Sequence, residues 1–297
     1  MLKNSNDIKP TAVILGGSSG IGMAAVDKLA KEGFNVISIY RERRSRLKEL
    51  EIHFNDLRKQ GCDIVCYNVD ALKKETVDQV SNDILNSFGK KSIKVLVHSI
   101  ANGNLKPLRI TENTSEIENK DDIDEDTFQL FSELKRKTAK GHVFNKRLTL
   151  DDFAYTINAM GTSLLNWTNG LIDAELFADS ARIIGLTSEG NEKVWKGYAA
   201  VSSAKVVLES LIQHMAVEYA PLGITANVVQ AGITDTPSLR MIPGSDMLKA
   251  SSLMRNPMQR LTRPEDIANI IYLLSRDEAK WINGTTIVAD GGEHLCP

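Results

Sequence analysis

The chain has 297 residues, 42% of them hydrophobic and 25% charged, and 36 lysines and arginines against 38 acidic residues leave a formal net charge of −2. This composition argues against bulk nucleic-acid binding, which needs a strongly basic surface, and against disorder, which goes with low apolar content. The three cysteines are too few for a disulfide scaffold, and the start of the sequence has no signal-peptide pattern. No apolar run reaches the about 18 residues that a membrane span needs. We therefore predict a cytoplasmic α/β enzyme.

Short apolar runs alternate with longer amphipathic runs along the chain. In the first part we predict strands at 11–15, 34–40, 63–67 and 93–98, and helices at 19–32, 43–59 and 73–88. In the second part we predict helices at 151–176, 198–219 and 264–275, and strands at 182–186, 225–229 and 285–288. Such alternation indicates βαβ units with right-handed crossovers. We therefore expect a single domain over residues 1–297, a Rossmann-like doubly wound parallel sheet of about seven strands with helices on both faces.

Glycines and serines connect the first predicted strand to the first predicted helix, with the spacing Gly16-x3-Gly20-x-Gly22. At such a turn, backbone N–H groups and the helix dipole attract phosphate, and glycine lets the backbone approach it closely. A purely structural turn is the simpler alternative, but the place of the glycines in a βαβ series favours a bound dinucleotide. The predicted contacts are Gly16, Ser18, Ser19, Gly20, Ile21 and Gly22.

Arginines follow the second predicted strand, in the order Tyr40-Arg41-Glu42-Arg43-Arg44. An acidic residue at this point selects a free ribose 2′-hydroxyl, whereas an arginine accommodates a 2′-phosphate. The excess of arginine predicts NADPH rather than NADH, with Arg41 as a cofactor contact. The alternative is the solvated basic start of a helix, which the helix dipole disfavours.

A tyrosine and a lysine lie seven residues apart on the predicted helix 198–219. Tyr198 and Lys205 are then two turns apart on nearly one face, and the lysine side chain leans toward the tyrosine. A nearby ammonium lowers the pKa of a phenol, which would make Tyr198 a better acid or hydrogen-bond donor. A core tyrosine and an exposed lysine on an ordinary helix are the alternative, which the glycine turn makes less attractive.

Together, these motifs resemble the short-chain dehydrogenase/reductase family over nearly the whole chain. The family commonly places its tyrosine four residues before the lysine, where this chain has Val201. The Tyr-x6-Lys spacing and the string HSIANG at 98–103 are instead similar to the enoyl-acyl-carrier-protein reductases, most of all the NADPH-dependent type III enzymes. The resemblance implies further cofactor contacts at Asn68, Val69, Ser99, Ile100, Ala101, Lys205, Gly232, Thr234 and Thr236, and a catalytic hydroxyl at Ser188.

The resemblance implies NADPH-dependent reduction of the trans-2 double bond of an enoyl thioester, as in fatty acid biosynthesis. Tyr198 would stabilise the enolate oxygen, Ser188 would be a second donor, and Lys205 would hold the nicotinamide ribose. A carbonyl, 3-oxoacyl or alcohol oxidoreductase on the same fold is the alternative, and a nucleotide-binding sensor without catalysis is the third. We expect no metal, because Cys62 and Cys66 have no second Cys/His pair and are interpreted as strand residues.

Two segments fall outside the alternating pattern. Residues 234–258 carry apolar side chains, four of them methionines, among proline and glycine, and are predicted to be a substrate lid or else a helix pair packed on the core. Residues 106–148 form an insertion of roughly forty residues relative to the family, either a surface loop or a functional element. We hypothesise that its basic part, Lys135 to Arg147, guides an acidic acyl carrier protein. Relatives with similar apolar helices form homotetramers or homodimers, which the resemblance implies here too.

Overall fold

Seven parallel strands form one sheet in the computed structural model, which describes residues 9–110, 123–139 and 144–296. The strands are β1 (Thr11–Leu15), β2 (Asn35–Tyr40), β3 (Asp63–Asn68), β4 (Ile93–His98), β5 (Phe177–Ser188), β6 (Ile224–Ala231) and β7 (Thr286–Ala289). Their order is β3-β2-β1-β4-β5-β6-β7, so β1 pairs with both β2 and β4. The strand order reverses between β1 and β4, and open parallel sheets bind ligands at such a reversal.

Ten α-helices accompany the sheet in the described part of the chain. They are α1 (Gly20–Lys31), α2 (Arg44–Lys59), α3 (Lys74–Phe88), α4 (Glu125–Ala139), α5 (Leu150–Ile157), α6 (Ser163–Asp173), α7 (Ala199–Glu218), α8 (Pro237–Arg240), α9 (Ser245–Arg255) and α10 (Pro264–Ser275). One buried apolar cluster joins the sheet to α1, α2 and α10, and a second joins it to α3, α6 and α7. Helices therefore cover both faces, which confirms the predicted doubly wound architecture.

The predicted helix 151–176 was wrong in its continuity. α5 ends at Ile157, a π-helical turn follows at Asn158–Thr162, and α6 ends at Asp173. Glu175 then takes a positive φ of 53°, and β5 begins at Phe177, earlier than predicted. Hydrophobic periodicity does not resolve a single π turn, although such turns are frequent at functional sites.

The insertion contains the helix α4. The acidic residues 111–122 and the side chains of Lys135, Arg136, Lys137 and Lys140 lie outside the described residues. The hypothesis about a carrier protein therefore stays a prediction. The lid segment contains α8 and α9, so it includes a helix pair.

Three further expectations concern the two neighbouring cysteines, metal binding and membrane spans. Cys66 lies on β3 and Cys62 directly precedes it. In the described ranges, no cluster of three His, Cys, Asp or Glu side chains is arranged to hold a metal ion. Within those same ranges, none of the helices combines the length and the apolar character that crossing a bilayer requires.

Candidate active site

The glycine turn brings three backbone segments into close contact. Gly16 and Gly20 take positive φ angles of 91° and 52°, which glycine adopts without steric cost. A Cβ atom on Gly16 would lie 2.6 Å from the Ser99 carbonyl oxygen, and one on Gly22 would lie 2.1 Å from the Gly16 carbonyl oxygen. Only glycine therefore allows β1, α1 and the end of β4 to meet at this distance.

The N-terminus of α1 opens onto the large cavity beside this turn. Its first turn is Gly20-Ile21-Gly22, which carries no acidic side chain that would compete with a bound phosphate. Ser19 and Ile21 line the cavity itself. A helix start with free N–H groups is suited to bind phosphate. The turn, the cavity and the helix dipole together fit the pyrophosphate of a nicotinamide dinucleotide.

The residues after β2 form a polar cluster that sequence reasoning only partly anticipated. The Ser18 hydroxyl donates to the Glu42 carboxylate at 3.0 Å, and Arg46 pairs with the same carboxylate at 2.8 Å. Glu42 and Arg46 both line the cavity. Arg41 instead pairs with Asp70 at 2.8 Å on the surface. The cavity thus presents one carboxylate and one guanidinium where the adenosine ribose is expected.

Asn68 has a structural partner in the same region. Its side chain accepts from the Glu42 backbone N–H at 2.8 Å and donates to the Glu42 carbonyl at 3.3 Å. Asn68 therefore fixes the backbone of the residue whose carboxylate faces the cavity. Glu42 lies twenty residues after Gly22, which is the sequence signal that could have identified it.

Tyr198 and Ser188 face the same cavity from two different elements. Ser188 ends β5, and Tyr198 is the residue before the first turn of α7. The Ser188 hydroxyl is near enough to the Tyr198 hydroxyl to act on its pKa. Gly190 lies beside both, because a Cβ there would be 2.7 Å from the Tyr198 ring and 3.4 Å from the Ser188 oxygen. The pair forms a polar patch in the cavity wall.

Burial sets the protonation of Tyr198. It raises the pKa of the phenol, and the nearby Ser188 hydroxyl only partly opposes this effect. The prediction that the pKa of Tyr198 is lowered was therefore wrong, because burial outweighs the neighbouring groups. A neutral hydroxyl near pH 7 is a hydrogen-bond donor, which is the form that stabilises a developing oxyanion.

Lys205 lies behind this patch, with only 7% of its surface exposed. Its ammonium donates to the Leu186 carbonyl oxygen at 2.8 Å. Burial lowers the pKa of Lys205 to about 8, and the nearby carboxylate of Glu209 acts in the opposite direction. Lys205 therefore remains mostly protonated at neutral pH but is close to its titration range.

His98 is the other buried base near Lys205. Burial, reinforced by the Lys205 charge, lowers the pKa of His98 to about 3, so the imidazole is neutral. Its Nε2 atom lies 2.8 Å from the Ser163 hydroxyl, which itself donates to the Ala159 carbonyl at 3.0 Å. The imidazole therefore donates from Nε2 to Ser163. His98 thus adds no second positive charge next to Lys205.

The cavity has a volume of about 1110 Å³ and continues from the glycine turn past Tyr198 to an apolar wall. A volume at the upper end of the usual range for ligand pockets fits a dinucleotide together with a second molecule. The predicted lid supplies Leu239, Met241, Ile242 and Leu248 to its wall. The other apolar residues of the wall include Leu105, Phe144, Met160, Trp195 and Val201.

A buried ion network fixes the last residue of α9. Arg255 donates to Glu189 at 2.6 Å and to Glu293 at 3.0 Å. Glu293 has a side chain that is only 1% exposed and also accepts from the Ile233 backbone N–H. Because burial of an unpaired carboxylate is costly, this triad holds α9 against the segment that carries Ser188.

The predicted site residues fall into four groups. Those that line the cavity are Ser19, Ile21, Ala101, Ser188, Tyr198, Gly232, Thr234 and Thr236. A second group forms the glycine turn itself and the backbone packed against it, namely Gly16, Ser18, Gly20, Gly22, Ser99 and Ile100. Lys205 is buried behind Tyr198. Arg41, Asn68 and Val69, as far as the described residues go, are outside the cavity lining. Prediction missed Glu42, Arg46, Glu189, Arg255, Glu293 and Glu209.

Comparisons with protein families match both halves of the chain. Residues 135–294 match a model described as Enoyl-(Acyl carrier protein) reductase, and residues 10–128 match the short chain dehydrogenase model. A 1-cyclohexenylcarbonyl-CoA reductase of Streptomyces collinus is 34% identical over 120 residues, which is 40% of this chain and 43% of that protein. An acetoacetyl-CoA reductase of Shinella zoogloeoides is 33% identical over 154 residues, 52% of this chain and 63% of that protein.

Relatives that cover almost the whole chain are more distant. A 3-oxoacyl-[acyl-carrier-protein] reductase of Staphylococcus epidermidis is 25% identical over 96% of this chain and 99% of its own length. A dehydrogenase/reductase structure from Sinorhizobium meliloti has a TM-score of 0.71 at 23% identity, covering 96% of this chain and 94% of that one. A short chain dehydrogenase from Burkholderia cenocepacia in complex with NADP has a TM-score of 0.70 at 23% identity, with 97% and 100% covered.

The glycine turn gives a test of the dinucleotide site. Gly22→Ala is expected to weaken NADPH binding about 10-fold or more, because overpacking at 2.1 Å forces the turn open at a cost of about 1–3 kcal/mol. Fluorescence titration with NADPH measures the affinity. Gly61→Ala is the control for backbone strain away from the site, since its φ of 87° disfavours a side chain while the space around a Cβ there is open. Unchanged affinity in Gly22→Ala would remove the turn from the cofactor site.

Proposed function

Because the chain belongs to the short-chain dehydrogenase/reductase family, it is an NAD(P)-dependent oxidoreductase, and we propose that it reduces the trans-2 double bond of an enoyl thioester with NADPH. The observation that carries the proposal is the spacing of the active-site hydroxyl. Tyr198, seven residues before Lys205, faces the cavity, and Ser188 lines the cavity beside it. The residue four before Lys205 is Val201, which has no hydroxyl.

Packing supports this choice of tyrosine. Val201 is buried, and a Cβ atom on Gly103 would lie 2.9 Å from its side chain and 2.7 Å from that of Thr156. The loop after β4 therefore packs closely on Val201, which has no hydroxyl group. Tyr198 is in consequence the side chain that supplies a phenolic hydroxyl to this wall of the cavity.

The arrangement suits a reaction in which negative charge develops on an oxygen. A bound NADPH supplies the hydride, which adds to C3 of the enoyl thioester. The electron pair of the C2–C3 double bond then shifts toward the thioester carbonyl, whose oxygen becomes an enolate oxygen. The neutral Tyr198 hydroxyl donates a hydrogen bond to that oxygen. Uptake of a proton at C2 completes the saturated thioester.

Lys205 and Ser188 support this step. Lys205 adds positive potential, which stabilises the developing charge, and its ammonium would hold the nicotinamide ribose of a bound NADPH by turning from the Leu186 carbonyl toward the cavity. Ser188 accepts from the Gly190 backbone N–H at 3.4 Å and offers a second hydroxyl beside Tyr198. The apolar wall of Leu105, Met160 and Leu239 suits an acyl chain.

The second candidate is reduction of a 3-oxoacyl thioester. Its support comes from the activities after which relatives are named, including the acetoacetyl-CoA reductase and the 3-oxoacyl-[acyl-carrier-protein] reductase described above. The same hydroxyl could serve a ketone, because an alkoxide also develops on oxygen. A non-catalytic nucleotide sensor is the weakest alternative, since a buried Lys205 and a paired Tyr198 are unneeded for binding alone.

NADPH is the proposed cofactor, with Arg46 rather than Arg41 as the cation at the 2′-phosphate. Arg46 lines the cavity, whereas Arg41 is engaged with Asp70. The neighbouring Glu42 carboxylate opposes a phosphate and favours a hydroxyl. The preference for NADPH over NADH therefore depends on the balance of Glu42 and Arg46.

The proposal includes an acidic acyl carrier protein as donor of the thioester, a cytoplasmic location and assembly into a homotetramer or homodimer. Lys146 and Arg147 support the carrier, because they are exposed close to Phe144, which lines the cavity. Exposed cations beside the entrance of a site favour an acidic partner.

The substrate class is tested by following NADPH absorbance with crotonyl thioester and then with acetoacetyl thioester. We expect oxidation with crotonyl thioester, because Tyr198 stands in for the usual tyrosine and Val201 cannot. Turnover of acetoacetyl thioester alone would favour the ketoreductase. Silence with both would point to the sensor.

Tyr198→Phe tests the catalytic hydroxyl. Loss of a single oxyanion donor is expected to lower kcat about 100- to 1000-fold. NADPH affinity should stay unchanged, because the phenyl ring still fills its place. Tyr219→Phe is the control, because Tyr219 lies at the other end of α7 from Tyr198 and its hydroxyl donates to Asn169. Full activity in Tyr198→Phe would remove this residue from its role.

Cofactor preference is tested by comparing kcat/KM for NADPH and NADH. Arg46→Ala is expected to lower the NADPH preference about 10-fold, the effect of losing one charge-assisted hydrogen bond. Glu42→Gln should raise it, because the carboxylate no longer repels the phosphate. Arg41→Ala serves as control and should change little. A wild-type preference for NADH would overturn the NADPH proposal.

A further inference from the structure

The Ser188 turn, residues 187–191, is hydrogen-bonded at both of its ends to one carboxylate. The Asn191 amide donates to the two oxygens of Glu209 at 2.7 and 2.8 Å. The Thr187 hydroxyl donates to the first of these oxygens in a short hydrogen bond. Thr187 precedes Ser188, and Asn191 ends the 3₁₀ turn Glu189–Asn191 that follows it. Glu209 therefore grips this turn at both ends.

Glu209 belongs to the helix that carries the other two groups of the site. It lies on α7, one turn after Lys205, and α7 begins directly after Tyr198. The carboxylate thus ties the end of β5 to α7. The Ser188 hydroxyl and the Tyr198 hydroxyl come from these two elements, so their separation depends on how the elements are joined.

We propose that Glu209 is a positioning residue that holds Ser188 against Tyr198 through Thr187 and Asn191. The proposal rests on the proposed function, because it assigns Ser188 and Tyr198 to the reacting oxygen. Charge-assisted hydrogen bonds are stronger than neutral ones, and three of them converge on one carboxylate. Rotation of the Ser188 turn would break all three.

The same carboxylate acts on Lys205. Its negative charge favours the ammonium and opposes the effect of burial on the pKa of Lys205. Three titratable groups near Lys205 are Tyr198 just before α7, Glu209 on α7 and His98 at the end of β4. The charged groups around the Ser188 turn are Glu189, Lys193 and Arg255. His98 is neutral, and Arg255 and Lys193 are paired with Glu189. Glu209 is therefore the charge whose removal bears most directly on Lys205.

Two variants separate positioning from charge. Glu209→Gln loses the negative charge and places an amide against the Asn191 amide, whereas Asn191→Ala leaves the charge in place. We expect both to lower kcat about 10- to 100-fold, the scale of a misplaced catalytic group. Only Glu209→Gln should also move the alkaline limb of the kcat/KM profile to lower pH, because the pKa of Lys205 falls further below its present value of about 8. Glu218→Gln, the same change on an exposed residue of α7, should do neither.

Hydrogen exchange of the NADPH-bound protein gives a readout that needs no substrate. Amides of the Ser188 turn should exchange about 10-fold faster in Glu209→Gln and Asn191→Ala, and not in Glu218→Gln. Unchanged kcat together with unchanged exchange would overturn the role of Glu209. Faster exchange with unchanged kcat would make its role structural only and would also overturn the proposal. If the wild-type protein reduces neither thioester, the proposed function fails, while slow exchange kept in Glu209→Gln would refute the Glu209 contacts separately.

Discussion

A positive charge in the interior of the protein organises the site. Lys205 is almost wholly buried, and a buried ammonium is tolerated only with partners. The Leu186 carbonyl accepts from it, and the Glu209 carboxylate lies one helical turn away. These contacts join β5 to α7 and thereby bring the end of the strand to the start of the helix. The neutral imidazole of His98 completes this arrangement without a competing charge.

The turn that follows β5 is held from two directions. Glu209 binds it from α7, and Arg255, at the end of α9, binds Glu189. Arg255 also neutralises the buried Glu293 near the C-terminal end of the described chain. Any movement of α9 therefore exposes or separates charged partners. The position of α9 is in this way coupled to the turn that follows Ser188.

The sequence pattern predicted the strand count, the parallel sheet and the glycine turn, because periodicity and local turn chemistry are encoded over short distances. The pairing of Arg255 with Glu189 and Glu293 joins residues far apart in the chain, and no local sequence pattern indicates it. The π turn between α5 and α6 escaped for a different reason, since one added residue barely alters an apolar pattern. The protonation of Tyr198 was misjudged because spacing reveals a neighbouring charge but not the extent of burial.

The close approach of Gly103 to Val201 has a consequence for how this loop can diverge. A side chain at position 103 would lie 2.7–2.9 Å from Thr156, Met160 and Val201, which come from α5, the π turn and α7. A larger residue at position 103 is therefore tolerated only if these neighbours become smaller as well. A lineage gains or loses this glycine through coupled substitutions rather than through a single one.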